Sequence, residues 1–276
     1  MPELPEVETI VRGLNKACLR KKIKKVKVLC PVIVSPKKGL DLLLGDSFSV
    51  IDRHGKYIKI TTKQGARLVI HLRMTGQLFL AKNYIPDKHT HIIIEFAGLP
   101  EKMYYRDIRK FGRWSVVAPQ KEFMNYINAG TDALAMTQKE FTALAKKYGN
   151  KALKVFLLDQ TILAGVGNIY ADETAFKLGV DPHTPVKKID PQKLLLAIIT
   201  VLKLGIKNKG TSVSDYITST GARGNFQNLL QVYQQKNCRK CGTVIKRVKL
   251  AGRTTHICPK CQRMRASRAD ALQNQE

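Results

Sequence analysis

The chain has 276 residues, 44% of them hydrophobic, which is enough for two modest domains with cores of their own and an appendage. Lysine and arginine outnumber aspartate and glutamate by 48 to 21, a formal charge of +27, so the expected partner is a polyanion: nucleic acid first, an anionic membrane surface second. No apolar run approaches the ~18 residues of a membrane span, and the N-terminus lacks the apolar core of a signal peptide, so a soluble, intracellular protein is expected.

The first element lies at Met1-Pro2-Glu3-Leu4-Pro5-Glu6. Pro5 at a helix start, Glu6 and Glu8 in the first turn, and Val7, Ile10, Val11 and Leu14 on one face predict an amphipathic helix. Such a helix would hold the N-terminus rigidly. Removal of Met1 would leave Pro2 as a secondary amine, and an α-amine with a pKa of roughly 7.7–8.0 is partly unprotonated near neutral pH. An amine of this kind can attack an electrophilic carbon and collapse to an iminium.

From Ile23 to Ala118 the signals are short and β-like. Phe48–Ile51, Tyr57–Thr62, Arg67–Leu72, His91–Phe96, Lys102–Tyr105 and Arg113–Ala118 are rich in β-branched and aromatic residues and are separated by glycine-containing turns, which predicts a sandwich or barrel. Helical signals then take over. Thr137 and Glu140 form a capping box, and Gly149 supplies a stop. Further helices are predicted at Lys151–Leu158, Asn168–Leu178 and Pro191–Lys207, the last capped by Asp190. A Gly/Ser/Thr-rich loop follows at Thr218–Asn225, and residues 266–276 read as disordered. No carboxylate occurs between Tyr216 and Ala269, a stretch that contains Arg223, Arg239, Arg247, Arg253 and Arg263 among other bases.

Cys238-x₂-Cys241-x₁₆-Cys258-x₂-Cys261 has the spacing of a four-thiolate zinc site, with two close pairs that bring four sulfurs to one centre. A site closed by four thiolates organises a hairpin and does not activate water. Cys18 and Cys30 read as small buried hydrophobes. Gly165-Val166-Gly167-Asn168 lacks the third glycine of a dinucleotide loop and reads as a turn between helices. There Asn168 either caps the second helix or marks a phosphate site at its start. His71-Leu72-Arg73-Met74 and Asp107-Ile108-Arg109-Lys110-Phe111-Gly112 set large apolar side chains beside bases, which is what a protein needs to unstack a duplex. Lys56 follows His54-Gly55 at a hairpin bend, and a metal role for His89 and His91 is disfavoured.

Together these segments resemble the bacterial formamidopyrimidine-DNA glycosylases, repair enzymes for oxidised purines, over essentially the whole chain. The matching runs are Met1–Thr9, Gly55-Lys56-Tyr57, His71–Gly76, Asp107–Gly112, Gly165–Glu173 and the finger ending Cys258-Pro259-Lys260-Cys261-Gln262. The resemblance implies an α+β fold: an N-terminal helix on a β-sandwich, a helix–two-turn–helix domain, and a C-terminal zinc-finger hairpin, with DNA in the cleft. Expected boundaries are 1–130, 131–220, a lesion-capping loop and connector at 221–235, the finger at 236–264 and a tail at 265–276.

The resemblance also implies the chemistry. Processed Pro2 would attack C1′ of the damaged nucleotide, with Glu3 as general acid/base and Glu6 and Lys56 completing the catalytic set. Met74, Arg109 and Phe111 would fill the space left by the extruded base and face the orphaned cytosine. Lys56, His71, Asn168 and Arg253 would hold phosphates, and Lys154 would lie near the lesion. Those four phosphate contacts predict a slope of log K against log salt on the order of −3 to −4. One structural zinc and no redox cofactor are implied, acting as a monomer on double-stranded DNA with oxidised purines or abasic sites, in the cytoplasm at the nucleoid. Thr254 stands where glycine is expected, which would alter the finger's turn and the aim of Arg253. The nearest rival is the endonuclease VIII-like group, specific for oxidised pyrimidines; Leu4, the Met74/Arg109/Phe111 set and the Thr218–Phe226 loop argue against it. A non-catalytic DNA-binding zinc protein would leave Pro2, Glu3 and Glu6 unexplained.

Overall fold

The computed structural model describes residues 1–117, 123–213 and 215–263. Ala118, the last residue of the finger range and the expected disordered tail lie outside them. The chain forms two compact units, and neither is continuous in sequence: 1–128 with 205–227, and 129–204 with 228–276. The linear expectation put 205–220 with the helical domain, whereas its contacts are with the N-terminal unit.

In the first unit, α1 (Leu4–Cys18) presents Val7, Ile10, Val11, Leu14 and Cys18 to the core. Nine strands follow. β1 (Ile23–Val28), β2 (Val34–Ser35), β3 (Phe48–His54), β4 (Tyr57–Thr62) and β5 (Arg67–His71) precede β6 (Gly76–Ala81), β7 (Thr90–Phe96), β8 (Lys102–Asp107) and β9 (Arg113–Val117). They make a four-stranded antiparallel sheet, β1-β7-β8-β6, and a five-stranded sheet, β2-β9-β5-β4-β3, in which only β2 runs parallel to its neighbour. Alternate residues of both sheets, Ile58 and Ile60 in β4, Leu78 and Leu80 in β6, Ile92 and Ile94 in β7, join one core with α1. The arrangement is a sandwich. The other face of the four-stranded sheet carries Phe79, Ile93 and Tyr104, against which Ile217 of the returning segment packs.

β4 has the predicted bounds, and the other five predicted strands agree to within a few residues. β1, the two-residue β2 and β6 are additional. β1 reads Ile-Lys-Lys-Val-Lys-Val, an edge strand whose alternation is broken by a bulge between Ile23 and Lys25. β6 opens on glycine straight after a turn, which hides its apolar start.

In the second unit, β10 (Thr131–Asp132) pairs in parallel with β11 (Leu163–Ala164). α2 (Gln138–Lys147) starts at the Thr137/Glu140 capping box and stops just before Gly149. α3 (Leu153–Leu158) begins two residues later than expected, because Ala152 bridges to Pro185. α4 (Asn168–Leu178) and α5 (Pro191–Lys207) have the predicted bounds, and Asp190 Oδ1 accepts from the N–H groups of Gln192 and Lys193 at 2.8 and 3.1 Å. The last turn of α5 belongs to the first unit. The finger hairpin pairs β12 (Lys246–Leu250) with β13 (Arg253–Ile257). Among the described residues no helix is long and apolar enough to cross a membrane.

Candidate active site, metal centre and phosphate-binding residues

The N-terminal residues are built into the first unit and not left on a tail. Pro2 is buried, and Glu3 and Glu6 are 3% and 2% exposed. Glu3 and Glu6 form a capping box in which Glu6 Oε2 accepts from the Glu3 N–H at 2.8 Å. The other oxygen, Oε1, accepts from the Thr211 N–H at 2.7 Å, 205 positions along the chain. Gly210 has φ +76°, and a Cβ there would lie 2.8 Å from Glu6 Oε1, so a side chain at 210 would disturb this contact. Tyr216 completes the anchor by donating to the Lys209 carbonyl at 3.0 Å. Thr211, Gly210 and Tyr216 had no signal in the local sequence, since their role depends on a partner 200 residues away.

Lys56 sits in the β3–β4 hairpin bend and is 5% exposed. His71 ends β5 directly opposite Tyr57, with the two rings edge to face at 4.5 Å. His71 Nδ1 accepts from the Arg73 N–H at 2.9 Å. Burial, then the charges of Arg73 and Lys56, lower the His71 pKa to about 3, so the ring is neutral and its single proton sits on Nε2. It can donate one hydrogen bond to a phosphate oxygen but brings no charge.

The three expected wedge residues lie on two adjoining loops. Met74 is half-buried in the turn from β5 to β6, while Arg109 is exposed in the turn from β8 to β9, with Phe111 47% exposed beside it. The Arg109 guanidinium lies 4.4 Å from the centre of the Phe111 ring, as their spacing of two allows. The loops are tied together: the Thr75 hydroxyl bonds Asp107 Oδ1 and accepts from the Arg109 N–H at 3.2 Å.

In the second unit, Asn168 is the first residue of α4 and does not cap it; Gly167 takes that position. Its Nδ2 donates instead to the Thr254 carbonyl at 3.1 Å, and its Oδ1 is buried with no partner. Lys154 lies in α3. It is fully buried, its ammonium held by Asp172 Oδ1 at 2.6 Å and the Thr254 carbonyl at 3.0 Å. Through these bonds the ammonium fixes the strand that carries Arg253. Asp172 Oδ2 takes the N–H and ring Nδ1 of His256 at 3.0 and 2.9 Å. Glu173 accepts from the backbone N–H groups of Gln231, Val232 and Tyr233 at 2.9–3.1 Å. An open cavity of about 600 Å³ is lined by Asn168, Tyr233, Arg247, Gly252, Arg253 and His256, a setting with two arginines suited to an anion. Arg247 was not singled out by the sequence, because it is one base among many in the hairpin.

Arg253 itself is exposed. The finger turn consists of Ala251 and Gly252, with φ +51° and +68°, and Thr254 lies beyond it, paired with Lys249. Thr254 is therefore in the strand and outside the left-handed region, so its backbone does not require glycine. Of the four expected phosphate contacts, His71 and Asn168 are neutral. Two cations remain, and the expected slope of log K against log salt from this set falls to about −2.

The four cysteine sulfurs lie within 4.8 Å of one another. Cys238–Cys261 and Cys241–Cys258 are separated by 3.9 and 3.5 Å. A tetrahedron with Zn–S bonds of about 2.3 Å has edges of about 3.8 Å, so the donor set fits one zinc with no open position. The metal there would hold the hairpin's shape and take no part in bond-making.

Three family profiles match in chain order: the formamidopyrimidine-DNA glycosylase N-terminal domain over 1–114, its H2TH domain over 130–216, and the zinc finger found in FPG and IleRS over 236–263. Formamidopyrimidine-DNA glycosylases of Desulfitobacterium hafniense and Carboxydothermus hydrogenoformans are 38% and 39% identical, each alignment covering 95% of this chain and all of the relative. The Lactococcus lactis Fpg bound to DNA containing an abasic site superposes with a TM-score of 0.84 at 34% identity, over 95% of this chain and 99% of that one. The same protein bound to DNA carrying N7-benzyl-Fapy-dG gives 0.82 at the same identity and coverage. With its three domains matched in order and its relatives aligned end to end, the chain belongs to the formamidopyrimidine-DNA glycosylase family.

Proposed function

We propose that this protein is a bifunctional DNA glycosylase and abasic-site lyase of base-excision repair that removes oxidised purines through a Schiff base at Pro2. The observation that carries this reading is the buried Pro2-Glu3-Glu6 end, held by Glu6 to both the Glu3 and Thr211 amides. A terminal amine fixed in this way gains the orientation that makes an attack effectively intramolecular.

After Met1 is removed, the Pro2 nitrogen lone pair forms a bond to C1′ and the glycosidic bond breaks, the base leaving with a proton. Glu3 protonates the ring oxygen as the sugar opens, and the positive charge settles on the C1′=N iminium. The iminium makes the C2′ hydrogens acidic. Loss of one proton expels the 3′ phosphate, a second elimination expels the 5′ phosphate, and water releases the sugar fragment from Pro2. No step needs a redox cofactor. Glu6 acts by position alone, since both its oxygens already accept hydrogen bonds. Lys56 and the neutral His71 bind backbone phosphate, and Met74, Arg109 and Phe111 occupy the stack while the base is out, which costs a few kcal/mol. Asn168, Arg253 and Arg247 hold phosphate at the finger. A cytoplasmic, nucleoid-bound site of action fits this substrate, and the protein acts there as a monomer in this proposal.

The test is borohydride trapping on a duplex with 8-oxoguanine opposite cytosine, for the wild type and Pro2→Gly. Reduction freezes the iminium as a protein–DNA crosslink, expected for the wild type and strongly reduced in the variant. A crosslink of equal yield in Pro2→Gly that maps by peptide digestion away from residue 2 would remove the terminal amine from the mechanism. Preferential trapping on thymine-glycol duplexes would move the substrate to oxidised pyrimidines.

A further inference from the structure

Asp107, the last residue of β8, is fully buried, yet no step of the reaction above needs it. Its carboxylate takes four donors. Oδ1 accepts from the Thr75 hydroxyl and the Arg109 N–H, and Oδ2 from the Gly112 N–H at 2.8 Å and the Tyr105 hydroxyl at 3.1 Å. Its backbone is bound as well: the carbonyl accepts from the Lys110 N–H at 3.3 Å and lies 2.8 Å from His91 Nε2. The surroundings leave no slack. A Cβ on Gly112 would fall 1.7 Å from the Tyr105 oxygen, and one on Gly76 2.4 Å from the Leu72 carbonyl. Both loops around this carboxylate also carry a non-glycine residue in the left-handed region, Arg73 at φ +54° and Lys110 at φ +56°. Backbone of that kind persists only where its neighbours hold it.

We infer that Asp107 and Thr75 form a buried clamp that fixes Met74 in register with Arg109 and Phe111, and so sets how well the protein occupies the space of an extruded base. This rests on the reading that those three side chains enter the duplex. Asp107 is a positioning residue: it acts through the loops and touches no substrate. The chemistry of the clamp is specific to a carboxylate. Thr75 and Tyr105 hydroxyls can rotate to accept, but the N–H groups of Arg109 and Gly112 cannot. Whichever way the amide of Asp107→Asn turns, its NH₂ group therefore faces a backbone N–H.

Three variants test this: Asp107→Asn, Thr75→Val and Thr75→Ser. Excision of 8-oxoguanine opposite cytosine is measured beside nicking at a preformed abasic site, where no base has to leave the stack. Excision kcat/KM is expected to fall about 100-fold in Asp107→Asn and about 10-fold in Thr75→Val, the scale of a displacement near 1 Å. Thr75→Ser restores the hydroxyl and the rate. Abasic-site nicking should stay near wild type in all three, and the Arg109 and Gly112 amides should exchange hydrogen faster in Asp107→Asn and Thr75→Val. Unchanged excision or exchange in Thr75→Val would overturn the clamp. So would a parallel loss of excision and nicking in a folded variant. Should Asp107→Asn fail to fold, the Thr75 pair decides alone. A wild type that neither excises nor nicks would sink the functional reading, and amide exchange would still decide the clamp.

Discussion

The sandwich buries Phe48, Ile58, Ile70, Tyr105 and Trp114 between two sheets and a helix, whereas the finger's own apolar cluster is Val232, Cys238, Ile245 and Cys258. Two of those four finger residues are metal ligands, so apolar burial contributes little to its shape. The finger relies instead on zinc and on two adjacent buried acids of α4. Asp172 holds β13 through His256 and, by way of Lys154, through the Thr254 carbonyl; Glu173 holds 231–233 by their amides. The sandwich too uses a buried acid, Asp107, but only to shape the loops at its edge. An apolar core thus builds the platform, and buried carboxylates place the edge loops and the finger.

The largest effect should separate the two regions outright. Structural zinc supplies about 10–16 kcal/mol to a finger whose apolar cluster is small. Chelation is expected to abolish amide protection over 236–263 while the amides of α1 and the strands keep theirs, as read by hydrogen exchange. Loss of protection in both would show that the sandwich depends on the finger. Asp172→Ala comes next. It leaves the Lys154 ammonium buried without its carboxylate and the His256 N–H unsatisfied, a loss of about 3–5 kcal/mol. Local opening of β13 by hydrogen exchange measures it, with the core strands of the sandwich unaffected. A change below 1 kcal/mol would mean that Lys154 finds water or another partner.

A third effect belongs to the sandwich. Burial lowers the His71 pKa to about 3, below the ordinary histidine value of 6.5. Between these values the unfolded chain binds a proton that the folded chain does not. The contribution is therefore complete above about pH 6.5 and is lost as pH falls toward 3, by about 1.4 kcal/mol per pH unit. Denaturation of the wild type and His71→Gln between pH 4 and 6.5 should show the wild-type advantage shrinking at about that slope. Parallel pH profiles would show that the ring is protonated in the folded protein.

Local signals in the sequence carried the helices, most strands and the zinc site, because caps, alternation and Cys-x₂-Cys spacing act over a few residues. α4, α5 and β4 have the predicted bounds for that reason. β1 escaped notice because an edge strand carries lysine where a central one carries valine, a charge that blunts edge pairing. The metal centre was legible because four cysteines at that spacing announce their chemistry. The roles of Asp107, Asp172, Glu173 and Thr211 were not legible, because they come from partners distant in sequence: Asp172 meets His256 84 positions on, and Glu6 meets Thr211 205 positions on. Lys154 shows the converse. The resemblance alone placed it near the lesion, and only the fold reveals Asp172 against it.

The smallest prediction concerns the finger turn. Ala251 and Gly252 link β12 to β13 as a two-residue hairpin loop with positive φ at both positions, the geometry that favours Asn-Gly. Alanine in the left-handed region costs about 1–2 kcal/mol relative to a residue that tolerates it. Ala251→Asn should recover about 1 kcal/mol of this. Because folding of the finger is coupled to zinc binding, the gain should appear as roughly fivefold tighter zinc in a chelator competition. The register leaves Arg253 facing Leu250 in both proteins, so affinity for abasic-site DNA at saturating zinc should not change. Tighter DNA binding under those conditions would mean instead that the wild-type turn is not held in one conformation and that its mobility limits the aim of Arg253.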